Sequence, residues 1–186
     1  GAFGENLVIE GFDFRSLPEM DFDAPLGLST GAADIFGVTG GVTEAVLRRL
    51  QTGHSRVEMD RIRTSGVRGD EGLKELTFDY MGKEIRAAVV NGLGNADKLI
   101  EKIESGEEFF HFVEVMACPD GCIGGGGQPP ACQARKAERC DGIFAADEAC
   151  ELRSSEQNPA LDAVYDLLRG RAHELLHIHY PDHGRE

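Results

Sequence analysis

A pair of cysteines directly after an apolar run constrains this sequence more than any other feature. The mostly apolar residues 109–115 lead to Cys118 and Cys122, which are separated by a proline, an aspartate and a glycine, and residues 124–127 are four consecutive glycines. The apolar run predicts a strand. Glycines allow a backbone to approach a bulky group closely and to turn its N–H groups toward it. The pattern therefore predicts a loop, built around two thiols, at the end of a strand.

Two interpretations of this loop follow from spacing alone. Two thiolates after a strand suit a soft metal or an iron–sulfur cluster, whose redox potential responds to N–H donors. Two cysteines do not fill the four-thiolate shell of a cubane cluster. The alternative is a flexible glycine-rich loop with two free thiols, or with a strained disulfide between Cys118 and Cys122. The residues leave both interpretations open.

The acidic composition excludes some functional classes. The 186 residues contain 19 Lys and Arg against 33 Asp and Glu, a net charge of −14. A general nucleic-acid binder needs a basic face, so we expect no nucleic-acid partner. No apolar run approaches the ~18 residues of a membrane span. The length fits one domain over residues 1–186. Five cysteines, an odd number, favour reduced thiols and the cytoplasm, with export of a folded protein to the periplasm as the alternative.

Hydrophobic patterning predicts an α/β fold with a mixed sheet flanked by helices. Residues 73–80 and 84–90 predict a β-hairpin around a glycine-containing turn. Residues 85–116 predict a βαβ unit whose helix runs from Asn95 to Glu104, with Leu99, Ile100 and Ile103 on its inner face. Its second strand, predicted over 109–116, would be parallel to the first. The cysteine loop would then leave the carboxyl end of a parallel strand, where open α/β sheets place ligands.

The remaining segments are predicted with less regular patterns. The expected elements are a short strand at 7–9, a helix at 32–50, an edge strand or ordered loop at 57–65, a partly helical connection at 131–150, a helix opened by Asn158 and Pro159, a short helix at 171–178, and a loose tail at 181–186. Gly40 and Gly41 inside the first helix indicate that something packs very close to it. Cys132, Cys140 and Cys150 fit no metal-binding spacing, and we expect them to be free structural thiols.

Four blocks of the chain, in the same order, resemble the catalytic domain of the [FeFe]-hydrogenases. Residues 116–129 resemble the motif M-A-C-P-G-G-C-x-x-G-G-G-Q-P, with Asp120 in place of a glycine. Residues 29–41 resemble S-T-G-A-x-x-I-F-G-A-T-G-G, and residues 67–69 match V-R-G. Asn158-Pro159 and residues 173–180 resemble the closing N-P…H-x-L-L-H-T-H-Y. The family's earlier motifs, T-S-C-C-P and M-P-C-x-x-K-x-x-E, do not occur in these 186 residues, so we expect the C-terminal half of that domain.

The resemblance implies a fold, an activity and a cofactor. The fold would be the C-terminal lobe of an iron hydrogenase-like domain, and the activity would be reversible reduction of protons to H₂. The cofactor would be a six-iron H-cluster, in which a [4Fe–4S] cubane joins a diiron unit that carries CO, CN⁻ and a dithiolate bridge. By resemblance Cys118 ligates the cubane, Cys122 ligates it and bridges to the diiron unit, and Met116 packs against that unit.

The resemblance also implies the surroundings of the cofactor. Phe36 would lie beside the diiron unit with Ile35 nearby, and Gly124 and Gly125 would allow the backbone to approach the cofactor. No catalytic residue is assigned in this part of the domain, and the role of Asp120 stays open.

The expected partners follow from the same resemblance. They are the missing N-terminal half of the catalytic domain and ferredoxin or another redox subunit. Alone, the chain is expected to be inactive and without cluster, with the segment 118–127 exposed or mobile. The surface around Phe36 and Met116 would then be apolar or covered by a second copy of the chain. The alternative function is that of a non-catalytic relative, such as an H₂ sensor or a cluster-assembly factor.

The sequence His173-Glu174-Leu175-Leu176-His177 matches H-E-x-x-H, a zinc-peptidase pattern. The match falls near the end of the sequence, where few residues follow to supply a third ligand and a cleft. The hydrogenase-like closing block contains the same two histidines. We therefore predict no peptidase-type zinc site here.

Overall fold

The computed structural model describes residues 26–50, 56–69, 72–129 and 132–178, together with residues 11, 13, 16–21 and 23. The helices are α1 (Gly31–Asp34), α2 (Gly41–Leu50), α3 (Arg56–Arg63), α4 (Leu93–Glu104), α5 (Gln133–Ala149), α6 (Ala160–Leu168) and α7 (Ala172–Leu176). The strands are β1 (Leu73–Tyr80), β2 (Lys83–Asn91) and β3 (Phe112–Met116). Short 3₁₀ turns occupy Ile35–Gly37, Cys122–Gly124 and Ser155–Gln157. The strand predicted at 7–9 and the tail predicted at 181–186 lie outside the described residues.

The sheet has the predicted mixed topology, with strand order β1-β2-β3. β1 and β2 are antiparallel, and β2 and β3 are parallel across the α4 crossover, which confirms the hairpin and the βαβ unit. The hairpin turns through Met81 and Gly82, with φ of 54° and 76°. Two successive positive φ values match the right-handed twist of the flanking strands.

The central strand β2 separates two apolar layers. Ala87 and Val89 face a cluster that includes Leu47 of α2 and Ile62 of α3. The alternating residues Ala88 and Val90 face Ala96 and Leu99 of α4 instead. All four β2 residues are fully buried, as expected for a central strand that is covered on both faces. The sheet is therefore the middle layer between helices, and β3 delivers the cysteine loop at its edge.

The helix predicted over 32–50 is wrong as one element, because the chain breaks at residues 38–40. Val38 forms an isolated antiparallel bridge with Gly121 of the cysteine loop. Gly40 has φ of +88°, and a Cβ there would lie 2.0 Å from the Val67 carbonyl oxygen. A Cβ on Gly41 would lie 1.7 Å from the Ile35 carbonyl oxygen. The glycine pair thus marks a close backbone approach, as predicted, but at a junction between helices.

Other boundaries also differ from the sequence predictions. Residues predicted at 57–65 as strand or loop form the helix α3, because Met59 and Ile62 pack together on the core at helical spacing. The segment 131–150 contains a continuous helix, α5. α4 begins at Leu93, before Asn95, and Ile100 and Ile103 are 49% and 37% exposed, so they are not on its buried face. The last strand and the last helix are shorter than predicted, at Phe112–Met116 and Ala172–Leu176.

Candidate functional site

The cysteine loop leaves the carboxyl end of β3 and folds into successive tight turns. The N–H of Gly121 donates to the carbonyl of Cys118 at 3.1 Å, and the N–H of Gly124 donates to Gly121 at 3.2 Å. The N–H of Gly125 then donates to the carbonyl of Cys122 at 3.1 Å. The second turn begins where the first ends, and the third overlaps the second, so consecutive backbone hydrogen bonds hold the segment that carries both cysteines.

Gly121 is required where the loop meets the 38–40 junction. Its φ is +78°, and a Cβ there would lie 2.9 Å from the backbone nitrogen of Thr39. No side chain fits that gap. The preceding residue, Asp120, also has a positive φ, 65°. The motif that this stretch resembles has glycine here, and Asp120 adopts a backbone conformation that favours glycine.

The two predicted ligands are free thiols in this structure. Cys118 is half-buried and Cys122 is exposed. A Cβ on Gly125 would lie 3.2 Å from the sulfur of Cys118, and one on Gly124 would lie 2.7 Å from the Pro119 carbonyl oxygen. These glycines therefore let the loop close on itself around Cys118. A Cβ on Gly126 or on Gly127 would meet open space.

The other predicted site residues lie at different depths. Ile35 is fully buried in an apolar cluster with Val38 and Ile123, so it supports the loop from beneath. Phe36, the next residue, is 48% exposed. Met116 is half-buried at the last position of β3, immediately before the loop. The structure thus connects the 35–38 segment to the loop through Ile123 and through the Val38 bridge.

Glu114 is a buried residue whose role sequence reasoning missed. Its side chain, 4% exposed, accepts hydrogen bonds from the N–H groups of Gly40 and Thr43 at 2.8 and 2.6 Å. It also accepts from the hydroxyl of Thr43 at 2.7 Å. A carboxylate at the N-terminus of α2 satisfies free N–H groups and the helix dipole. Glu114 therefore ties β3 to the glycine junction, and the signal for it was a charged residue inside an apolar run.

Two basic side chains of α5 contact the loop. Lys136 forms an ion pair with Asp120 at 2.5 Å. The guanidinium of Arg139 donates to the carbonyl of Ile123 at 2.9 Å and to the carbonyl of Pro129 at 2.8 Å. α5 therefore contacts both ends of the glycine run, which spans 124–127.

A largely buried ionic network joins α2 to α5. Arg48 donates to both carboxylate oxygens of Asp147 at 2.7 Å and to Glu44 at 2.7 Å. Arg68 donates to Glu44 at 2.7 Å, and Arg153 donates to Asp147 at 2.8 and 3.0 Å. Burial alone would raise the pKa of Asp147, but the hydrogen bonds and charges of Arg48 and Arg153 outweigh it and lower that pKa.

The remaining cysteines and the H-E-x-x-H residues form no metal-binding group among the residues that the structure describes. The thiol of Cys150 donates to Asp34 at 3.1 Å, and this hydrogen bond raises the pKa of Cys150. The rings of His173 and His177 stack with centroids 4.6 Å apart. Glu174, which would act as the base of a peptidase, is paired with Arg171 at 2.6 Å.

Two family models match the chain. Residues 3–126 match the C-terminal domain of the iron-only hydrogenase large subunit. This chain belongs to the iron-only hydrogenase family. Residues 133–183 match the iron hydrogenase small subunit, so the cysteine loop lies in the first match and α5 to α7 lie in the second.

Curated relatives support the same assignment. The chain is 46% identical over 179 residues to the subunit HndD of the NADP-reducing hydrogenase of Solidesulfovibrio fructosivorans, a match that covers 90% of this chain and 30% of the relative. It is 36% identical over 178 residues to iron hydrogenase 1 of Clostridium pasteurianum, covering 90% of this chain and 31% of the relative. The chain thus spans about a third of the length of these proteins. Cytosolic iron-sulfur assembly component 3 of Mus musculus is 30% identical over 150 residues, 77% of this chain and 31% of the relative.

Solved hydrogenase structures share the fold. A structure of Chlamydomonas reinhardtii [FeFe]-hydrogenase superposes with a TM-score of 0.65 at 37% identity and covers 96% of this chain and 53% of that one. The mixed α/β architecture is therefore that of the FeFe-hydrogenase C-terminal region. Within the described part of the chain, no helix has the length and apolar character to cross a membrane.

Proposed function

We propose that this chain forms the C-terminal half of an [FeFe]-hydrogenase catalytic domain and that the complete protein reversibly reduces protons to H₂. The observation that carries the proposal is the pair of free thiols, Cys118 and Cys122, on a glycine-shaped loop at the end of a parallel strand. Among the relatives reported above, the chain has its highest identity, 46%, with a hydrogenase subunit. We also propose that residues 1–186 form one domain and that residues 181–186 are its loose tail.

The donor set fits an iron–sulfur cluster. Both sulfurs belong to unpaired cysteines, and thiolates are the ligands that such clusters use. The four glycines after them carry no side chain that would crowd a bulky inorganic group. Two thiolates make half of a cubane shell, so the proposal requires two more from the other half of the domain.

In this proposal the residues near the loop have distinct roles. Cys118 would hold the cubane, and Cys122 would hold it on the side of the diiron unit. Met116 and Phe36 would present apolar surface to that unit, and Gly124 and Gly125 would let the backbone come close to it. Ile35, being fully buried, holds Ile123 and thereby the loop in place.

When bound, the H-cluster supplies the redox chemistry that combines two protons and two electrons into H₂. The chain's own contribution is ligation, a dry apolar wall and rigid positioning. Glu114 supports that rigidity because it joins β3 to the 38–40 junction. In the same junction, Val38 forms the bridge with Gly121 of the loop. We assign no proton-transferring residue in this part of the domain.

The proposed partners are the N-terminal half of the catalytic domain and ferredoxin or another redox subunit. We propose a cytoplasmic location, with the periplasm as the alternative because one relative, 43% identical over 119 residues, is a periplasmic hydrogenase large subunit of Nitratidesulfovibrio vulgaris. Where the N-terminal half is absent, we propose that a second copy of the chain covers the half-exposed Phe36.

A second candidate function is cluster assembly without hydrogen chemistry. It is favoured by the 30% identity with cytosolic iron-sulfur assembly component 3. The two candidates differ in one measurable property, which is turnover of H₂.

The test uses the complete protein, matured with the diiron unit, and gas chromatography of H₂ formed from a low-potential electron donor. The proposal predicts H₂ evolution that is lost in Cys122→Ser and kept in Cys132→Ser, and it predicts no H₂ from the 186-residue chain alone. A fully matured protein without turnover would support the assembly candidate. Evolution of H₂ by the chain alone would contradict the half-domain proposal.

A further inference from the structure

We infer that Lys136 and Arg139 of α5 are positioning residues that clamp the cysteine loop in its ligating shape, and that Lys136 cancels the charge of Asp120 beside the two ligands. The inference rests on the proposed function for its second part, because the charge matters when a cluster is bound. The first part concerns the folded loop itself and needs no cluster.

The contacts of Arg139 make the clamp. One guanidinium nitrogen donates to the carbonyl of Ile123, directly after Cys122, and another donates to the carbonyl of Pro129, beyond the glycine run. The two carbonyls bracket the four glycines, which lose more backbone entropy on ordering than any other residue. A rigid guanidinium that holds both ends offsets that cost, since hydrogen bonds from a charged donor are about twice as strong as neutral ones.

An unfilled space lies next to these polar contacts. A space of about 210 Å³ lies between the loop and α5, lined by Ile123 on one side and by Cys140 and Phe144 on the other. Close packing therefore does not fill the whole gap between loop and helix. Lys136 lines this space, and Lys136 and Arg139 add polar contacts to the apolar packing of Ile123 on α5, so we expect their loss to loosen the loop.

The ion pair of Lys136 explains how Asp120 is tolerated. Asp120 lies between Cys118 and Cys122, where the hydrogenase motif that the stretch resembles has glycine, and its side chain is 17% exposed. A negative charge there would lower the reduction potential of a cluster ligated by its neighbours. The ammonium group of Lys136, 2.5 Å away, leaves the pair with no net charge.

The clamp also connects the two family matches. The loop lies in the region that resembles the large subunit, and Lys136 and Arg139 lie in the region that resembles the small subunit. We therefore infer that the small-subunit-like region contributes to shaping the cluster site.

The first test measures alkylation of Cys118 by iodoacetamide in the apo form of the complete protein, followed by peptide mass spectrometry. Arg139→Gln loses two charge-assisted hydrogen bonds to the loop. The fraction of molecules in which the loop has moved away from Cys118 should therefore rise, and with it the alkylation rate of Cys118, by about tenfold or more. Cys150, at the far end of α5, serves as the internal reference and should not change. Arg135→Gln, an exposed arginine on the same helix, is the matched control.

Equal rates for Cys118 in the wild type and Arg139→Gln would overturn the clamp. If Cys150 also reacts faster, Arg139→Gln has destabilised the whole protein. The Arg139→Lys variant then tests whether the clamp exists. A lysine reaches one carbonyl and keeps the charge, so the clamp predicts an intermediate Cys118 rate with Cys150 unchanged. A wild-type Cys118 rate in Arg139→Lys would contradict the need for both carbonyl contacts.

The second test measures the reduction potential of the loaded cubane by EPR-monitored titration. Lys136→Gln should lower the potential, Asp120→Asn should raise it, and the double variant should return toward the wild-type value. A purely structural role would not shift the two single variants in opposite directions. An unchanged potential in Lys136→Gln would overturn the charge-cancelling role. If no cubane can be loaded in the wild type, the proposed function fails, while the alkylation result still judges the clamp.

Discussion

Replacement of Asp147 by asparagine removes the anion at the centre of the buried ionic network. Asp147 is fully buried and receives two hydrogen bonds from Arg48 and two from Arg153. Asparagine has nearly the same shape, but it is neutral and offers one oxygen. The variant therefore removes one of the two buried counterions of Arg48 and leaves Glu44 as the other.

The expected cost is large because the pair is desolvated. Removing one partner of a buried ion pair costs about 3–5 kcal/mol, whereas an exposed pair contributes about 0.2–1 kcal/mol. The adjacent residue supplies the exposed comparison, since Glu148 pairs with Arg63 at 2.7 Å with side chains 54% and 43% exposed. With a urea m-value of about 2 kcal/mol/M, Asp147→Asn should lower the unfolding midpoint by about 1.5–2.5 M.

Equilibrium unfolding in urea, followed by circular dichroism, measures this effect on the purified protein and on both variants. Glu148→Gln should lower the midpoint by about 0.5 M or less at the same m-value. A loss below about 1 kcal/mol for Asp147→Asn, or equal losses for both variants, would refute the reasoning from burial.

The pH dependence gives an independent check of the same group. The pKa of Asp147 is below its ordinary value of 3.8 in the folded protein, so its stabilising contribution is present above pH 3.8 and is lost as the pH falls through the lowered pKa. The difference between wild type and Asp147→Asn should therefore shrink below pH 3.8. A difference that grows as the pH falls would contradict the assigned direction.

Two further predictions concern the glycine junction and the histidine pair. Gly41→Ala should lower the free energy of unfolding in urea by about 3 kcal/mol or more, because its Cβ would lie 1.7 Å from a backbone oxygen. Gly94→Ala in α4, which has open space around it, should be neutral or stabilise by up to about 1 kcal/mol. Equal effects of the two substitutions would contradict the close approach at Gly41. Zinc should not bind at His173 and His177 with peptidase geometry; stoichiometric zinc that survives dialysis and is lost in His177→Ala would contradict this.

The elements that could be predicted from sequence are those specified locally. The hairpin follows from two strand patterns around Met81 and Gly82, and the parallel β2–β3 pair follows from the short crossover helix between them. The cysteine loop could be located because its thiols and glycines are contiguous. The start of α6 could be predicted to within two residues, since the helix begins at Ala160, after Pro159, and the Asn158 side chain accepts from the N–H of Ala160 at 2.9 Å.

The elements that were missed depend on partners far away in the chain. The helix over 32–50 breaks because Val38 pairs with Gly121 and because Gly40 meets the carbonyl of Val67, and neither contact is visible in the local pattern. Glu114 reads as a charged residue that interrupts a strand until its contacts with Gly40 and Thr43, more than 70 positions away, are known. The helical spacing of Met59 and Ile62 was obscured because most of the other residues of this short helix are polar.

The central claim, that Cys118 and Cys122 ligate an iron–sulfur cluster, is tested most directly by iron content and EPR of the reduced complete protein. Cys118→Ser and Cys122→Ser should each lose the cubane signal and most of the iron that it represents. Cys132→Ser, an exposed cysteine after the loop, should keep both. A Cys122→Ser protein with full iron content and an unchanged cubane signal would contradict the account.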